Sequence, residues 1–76
     1  MYEPAPQVTP REMLAVLQRA GFVIKRSKGP HHYLVHASDP SRRTTVAVHP
    51  RDPPERDVRD ILKGSRISRE EFLKLL

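Results

Sequence analysis

The chain reads as an α+β domain of order α-β-β-β-α, a three-stranded antiparallel sheet with helices on one face. Three observations predict this. Apolar residues recur at helical spacing in two capped segments, over about 10–20 and after Pro53-Pro54. Between them lie three short stretches rich in β-branched and aromatic residues. Turn signals, Lys28-Gly29 and Asp39-Pro40-Ser41, separate those stretches.

Residues 1–8 hold prolines and no periodicity, and they read as a flexible N-terminal arm before a single domain over 9–76. Thr9-Pro10 opens the first helix: a hydroxyl N-cap, then proline where no donor is needed. Glu12 completes a capping box. Met13, Val16, Leu17 and Ala20, with Leu14 beside them, form the apolar stripe, and Gly21 is the C-terminal cap. Phe22–Arg26 is the first strand, with Phe22, Ile24 and Arg26 on one face and Val23 and Lys25 on the other.

Residues 31–37 form the second strand and 44–48 the third. A turn centred near Pro40 would put His36 opposite Thr44 and His32 opposite Val48, with His31 facing His49. Asp52 is a candidate N-cap for the second helix, which carries Val58, Ile61 and Leu62 and ends at Gly64. Ser68 caps a last short helix, with Glu71 at the capping-box position and Phe72, Leu73, Leu75 and Leu76 on its apolar side.

Seventy-six residues make one small domain, near the size where a single core is only just sufficient. The absence of cysteine removes disulfides and thiolate metal sites, and it fits a reducing, cytoplasmic setting. No apolar run approaches the roughly 18 residues of a membrane span. The start, Met1–Val8, carries Glu3 and lacks the apolar core of a secretory signal. Fourteen Lys and Arg against nine Asp and Glu leave a net charge of +5, which favours a polyanionic partner, nucleic acid first.

The densest cluster of chemistry is Lys28-Gly29-Pro30-His31-His32-Tyr33, which holds two of the four histidines and one of the two tyrosines. Gly29 supplies a turn, and Pro30 fits the first residue of a strand. His31 and His32 must then point to opposite faces, and the sequence leaves open which face is the core. A zinc site is disfavoured. His32 and His36 would share a face, but roughly 13 Å apart at about 3.3 Å per residue. Zinc needs bonds near 2 Å.

Four pieces together resemble the HicA family, the toxins of bacterial and archaeal HicAB toxin–antitoxin pairs. They are Leu14-x-x-Leu17-x-x-Ala20-Gly21-Phe22, Lys28-Gly29-Pro30-His31-His32, Val46-x-Val48-His49-Pro50 and Ile61-Leu62-Lys63. The resemblance covers about residues 9–76, and the Gly-x-His-His turn followed by the V-x-V-H-P strand end is its most specific part. The family commonly has Ser where this chain has Pro30.

The resemblance implies a fold similar to a double-stranded-RNA-binding domain. It implies cleavage of mRNA without metal or other cofactor, by the histidine of the Gly-x-x-His turn, which is His32 here. It also implies a HicB-like antitoxin that binds the toxin and masks its site.

The residues support that chemistry in their own terms. Cleaving RNA without metal needs a base for the 2′-OH, a stabiliser of the phosphate charge and an acid for the leaving 5′-oxygen. An ordinary imidazole, titrating near roughly 6.5, suits the first and third roles. Lys28 and Gly29 at the turn, His31, Lys25 and Arg26 on the first strand, Arg43 before the third and His49 at its end are the candidate RNA-contacting residues. Two other readings stand beside the nuclease. One is a non-catalytic RNA-binding module of the same fold, which would not need His32. The other is a toxin whose chemistry decayed through Pro30, which Pro30→Ser would restore.

Overall fold

The computed structural model describes residues 7–51 and 53–76. Among them the order is α1 Pro10–Arg19, β1 Phe22–Lys28, β2 His31–His36, β3 Arg43–Ala47, α2 Glu55–Ser65 and α3 Arg69–Leu75. The strands form one antiparallel sheet in the order β1-β2-β3. This is the expected α-β-β-β-α arrangement with an extra short helix. Phe22, Leu34 and Val46, one per strand, are buried with Met13, Val16 and Leu17 of α1, Val58 and Ile61 of α2, and Phe72 of α3. The helices therefore cover one sheet face, and the other is open.

Helix α1 starts as its local chemistry dictates. The Thr9 hydroxyl accepts the Glu12 N–H at 3.1 Å, and the Glu12 carboxylate accepts the Thr9 N–H at 2.8 Å. The expected arm, 1–8, lies mostly outside the described residues. Its last residue, Val8, is buried in the core together with Met13. Those two are the residue before the N-cap and the fourth helical residue, the positions of a hydrophobic staple.

The Thr9 backbone bond, and then the Thr9 hydroxyl, hold the Glu12 carboxyl below its ordinary pKa. The Ser41 hydroxyl, and less strongly its N–H with Arg66 and Arg42, does the same for Asp39. A carboxyl with a depressed folded pKa contributes stability above its unfolded pKa and loses it as pH falls through the folded value. The melting temperature is therefore expected to drop through and below the ordinary carboxylate range. Glu12→Gln should make that drop shallower in melts recorded across pH, and an unchanged slope would contradict this account.

Three expectations about the sheet need correction. The β1–β2 loop is Gly29-Pro30, one residue later than expected, since Lys28 pairs with His31. Gly29 has φ +58, the left-handed region that a two-residue hairpin asks of its first central position. The β2–β3 register is shifted by two: His32 lies opposite Val46, not Val48, and His31 opposite Ala47. The turn around Pro40 closes tighter, with Arg42 C=O accepting the His36 N–H at 2.9 Å. A shift of two keeps every side chain on its expected face. A β-bulge between Ile24 and Arg26 does not. It moves Arg26 opposite Tyr33, on the face away from Phe22 and Ile24.

The second helix also differs at both ends. Asp52, the expected cap, lies outside the described residues, and Pro54 occupies the N-cap without a side-chain bond. At the other end the helix runs through Gly64 to Ser65. It closes at Arg66, φ +56, with Arg66 N–H bonding Lys63 C=O and Ile67 N–H bonding Leu62 C=O. This is a Schellman closure, with Ile67 buried and Leu62 packed on the core.

Gly64 serves packing instead. A Cβ there would lie 2.8 Å from the Arg43 carbonyl oxygen on β3. Gly64→Ala must push α2 off the sheet and is expected to cost about 1–3 kcal/mol, as overpacking does. A urea midpoint equal to the parent's would contradict that. In α3, Ser68 accepts the Glu71 N–H and Phe72 is buried. Leu73 and Leu76, expected on the apolar side, are exposed.

Candidate active site

The hairpin β1–β2 sets the site. Cross-strand partners share a face, so two rungs next to the turn define two environments. On the rung Lys28–His31–Ala47 the side chains lie on the open face. On the rung Ser27–His32–Val46 they lie on the helix-covered face, because Val46 is in the core. The expected opposition of the two imidazoles is present. His31 is the exposed one and His32 is half-buried at the rim of the covered face.

His32 is not sealed in the interior. Its Nδ1 lies 2.7 Å from the Ser27 Oγ, a hydrogen bond, and no other bond of the ring is seen among the described residues. Nδ1 is thus engaged, and Nε2 has no hydrogen-bond partner among the described residues. Ser27 was not among the candidates read from the sequence. A two-residue loop at Gly29-Pro30 would have placed it opposite His32.

The remaining histidines divide clearly. His36 is structural. Ser38 N–H and Asp39 N–H donate to its Nδ1 at 3.1 and 3.2 Å, which leaves Nε2 to donate to Ala20 C=O at 3.1 Å. Its ring stands edge-on to Phe22 at 5.1 Å. His49 follows β3 and packs edge-to-face on His31, with ring centroids 5.8 Å apart. Both line a cleft of about 790 Å³ beside β3, whose lining also includes Pro10, Met13, Asp57, Asp60 and Ile61.

The basic candidates mostly gather on the open face. Arg26 sits over the Tyr33 ring at 5.5 Å, Lys28 pairs with His31, and Arg43 pairs with Val35 on that same side. Lys25 is at the bulge on the exposed edge of β1, and Gly29 is exposed at the turn. The three strands contain no Asp or Glu. The strand residues of the open face are thus positive and without carboxylates, and the described acidic residues lie on the helices and loops. Arg42 differs from its neighbour. Its Nε donates to Ser65 C=O at 2.8 Å and its guanidinium lies over Phe22, so it ties the sheet to the end of α2.

The sequence-read residues therefore form two groups that meet only at the hairpin tip. Lys28, His31, Arg26 and Arg43 share the open face. His32 looks the other way, one rung from Lys28 and His31.

These features define the class: a small basic domain with the element order of a double-stranded-RNA-binding domain, a positive sheet face that no described helix covers, and a half-buried imidazole at the hairpin end. Residues 10–67 of the 76-residue chain match the model of the family described as the HicA toxin of bacterial toxin-antitoxin. The chain belongs to the HicA toxin family. It is a toxin of a toxin–antitoxin system, from a family that is generally one of ribonucleases, and its pairing with an antitoxin follows from that membership. No curated protein matches the chain. Among the described residues no helix is long and apolar enough to cross a membrane.

Proposed function

We propose that this toxin is an mRNA endoribonuclease that works without metal, with His32 as its acid–base residue. The observation that carries the reading is the half-buried His32 ring, held through Nδ1 by Ser27 with Nε2 unbonded among the described residues, one rung from Lys28 at the end of a positive face. In the step we infer, Nε2 takes the proton of a ribose 2′-OH. The 2′-oxygen attacks the adjacent phosphorus and the P–O5′ bond breaks. The 5′-oxygen leaves with a proton from the imidazolium or from water, and a 2′,3′-cyclic phosphate remains. Lys28 offsets charge on the phosphate, and Arg26, Arg43, Lys25, His31 and His49 hold neighbouring phosphates and sugars.

The split of the site between two faces supports a single-stranded region of mRNA as substrate. A chain that contacts the open face and reaches His32 must bend round the hairpin tip. A flexible strand does so at little cost, whereas a stiff duplex does not. A HicB-like antitoxin would silence the toxin by covering this tip.

The open face also supports the rival reading, an RNA-binding module without chemistry, because that face does not include His32. Incubating labelled RNA with rigorously purified protein in excess chelator separates the two. Cyclic-phosphate products that persist in chelator are expected. Intact RNA that is bound but not cut would replace the nuclease with the binding module.

A further inference from the structure

We propose that Ser27 is a positioning residue that fixes which nitrogen of His32 is basic, and that the bulge in β1 exists to put it there. The inference rests on the nuclease reading for its purpose, but the Ser27–His32 pair can be tested without any cleavage.

Without the bulge, the pairing of Phe22 with His36 and Ile24 with Leu34 would continue to put Arg26 opposite His32. The extra residue between Ile24 and Arg26 shifts the register by one, so that Ser27 faces His32 and Arg26 faces Tyr33. Two side chains are re-aimed at once. A guanidinium goes to the open positive face, where it lies over an aromatic ring. A neutral hydroxyl, able to accept as well as donate, goes beside the imidazole at 2.7 Å. A guanidinium facing His32 would instead oppose the charge that the ring acquires as a base. Bulges near active sites re-aim side chains in this way.

The hydrogen bond made by one ring nitrogen sets the state of the other. When Nδ1–H donates to the Ser27 Oγ, Nε2 carries the free lone pair and can take the 2′-OH proton. The same bond survives when the ring becomes an imidazolium, so the ring need not turn during the step. On the β3 side the rung is completed by Val46, which is buried.

The test uses the full chain and the Ser27→Ala and Ser27→Thr variants, with ¹⁵N chemical shifts of the imidazoles read first. The neutral His32 ring of the parent is expected to carry its proton on Nδ1. Ser27→Ala should redistribute it between both nitrogens, and Ser27→Thr, which keeps the hydroxyl, should restore the parent pattern. In cleavage assays Ser27→Ala should lower kcat by about 10–100-fold, the size of effect seen when a metal-ligating imidazole loses the hydrogen-bond partner that orients it. KM should stay the same. The proposal is overturned if the parent ring carries its proton on Nε2, if Ser27→Ala leaves the tautomer unchanged, or if it leaves kcat unchanged while His32→Gln abolishes cleavage. Should His32→Gln itself cleave normally, the nuclease reading falls, and the tautomer measurement still decides whether Ser27 sets the ring.

Discussion

Replacing His32 with Gln is expected to reduce RNA cleavage by about 10²–10⁴-fold, the usual worth of one positioned acid–base group. Gln can still bond the Ser27 hydroxyl but cannot accept a 2′-OH proton at neutral pH. His32 is half-buried at the sheet rim and is not part of the core, so the fold should survive the exchange. RNA affinity should also survive, since the cations lie on the open face. The informative comparison is His31→Gln. Its ring is exposed beside His49 and, in the proposed step, touches RNA without transferring a proton. It should weaken binding and leave kcat nearly unchanged. Growth arrest on expression should follow cleavage: lost with His32→Gln and retained with His31→Gln. A folded His32→Gln protein that still cuts RNA and still arrests growth would remove His32 from the mechanism.

Phe72→Ala is expected to have the largest effect on stability, about 3–5 kcal/mol, because it empties a fully buried aromatic site. Small domains have total stabilities of roughly 5–15 kcal/mol, and a 76-residue chain belongs near the lower end. The variant should be substantially unfolded at body temperature. Phe72 lies on α3, beyond the 10–67 span matched to the family, yet it belongs to the same core cluster as Leu34 and Val46 under the sheet. The control is Leu73→Ala, one residue on and exposed, which should change stability by no more than about 0.5 kcal/mol. Urea unfolding of the two variants side by side is the measurement. Equal losses would mean that α3 is not part of the cooperative unit.

Much of the fold was legible because it rests on short-range chemistry. The Thr9–Glu12 capping box, the apolar stripe of α1 and the Ser68 cap each depend on residues three or four apart, and each is present. The Gly29 turn was legible from its residue type, and the alternation of His31 and His32 follows from the pleat alone. Several features were less legible. Gly64 resembled a helix stop because glycine commonly is one, but its use is the close approach of α2 to Arg43. Val8 looked like part of a loose arm because staples are recognised only once the N-cap is placed.

By itself the sequence determined the α-β-β-β-α order, the positive charge and the pair of imidazoles set on opposite faces at a hairpin. Those follow from period, cap chemistry and composition, which act within a few residues. Only the tertiary structure decided that His32 faces the helix side and His31 the open side. It also decided that β3 pairs two residues away from the simplest register, and that a bulge brings Ser27 to His32. Pairing register and face are chosen by which apolar residues reach the shared core, and that choice joins residues far apart in the chain.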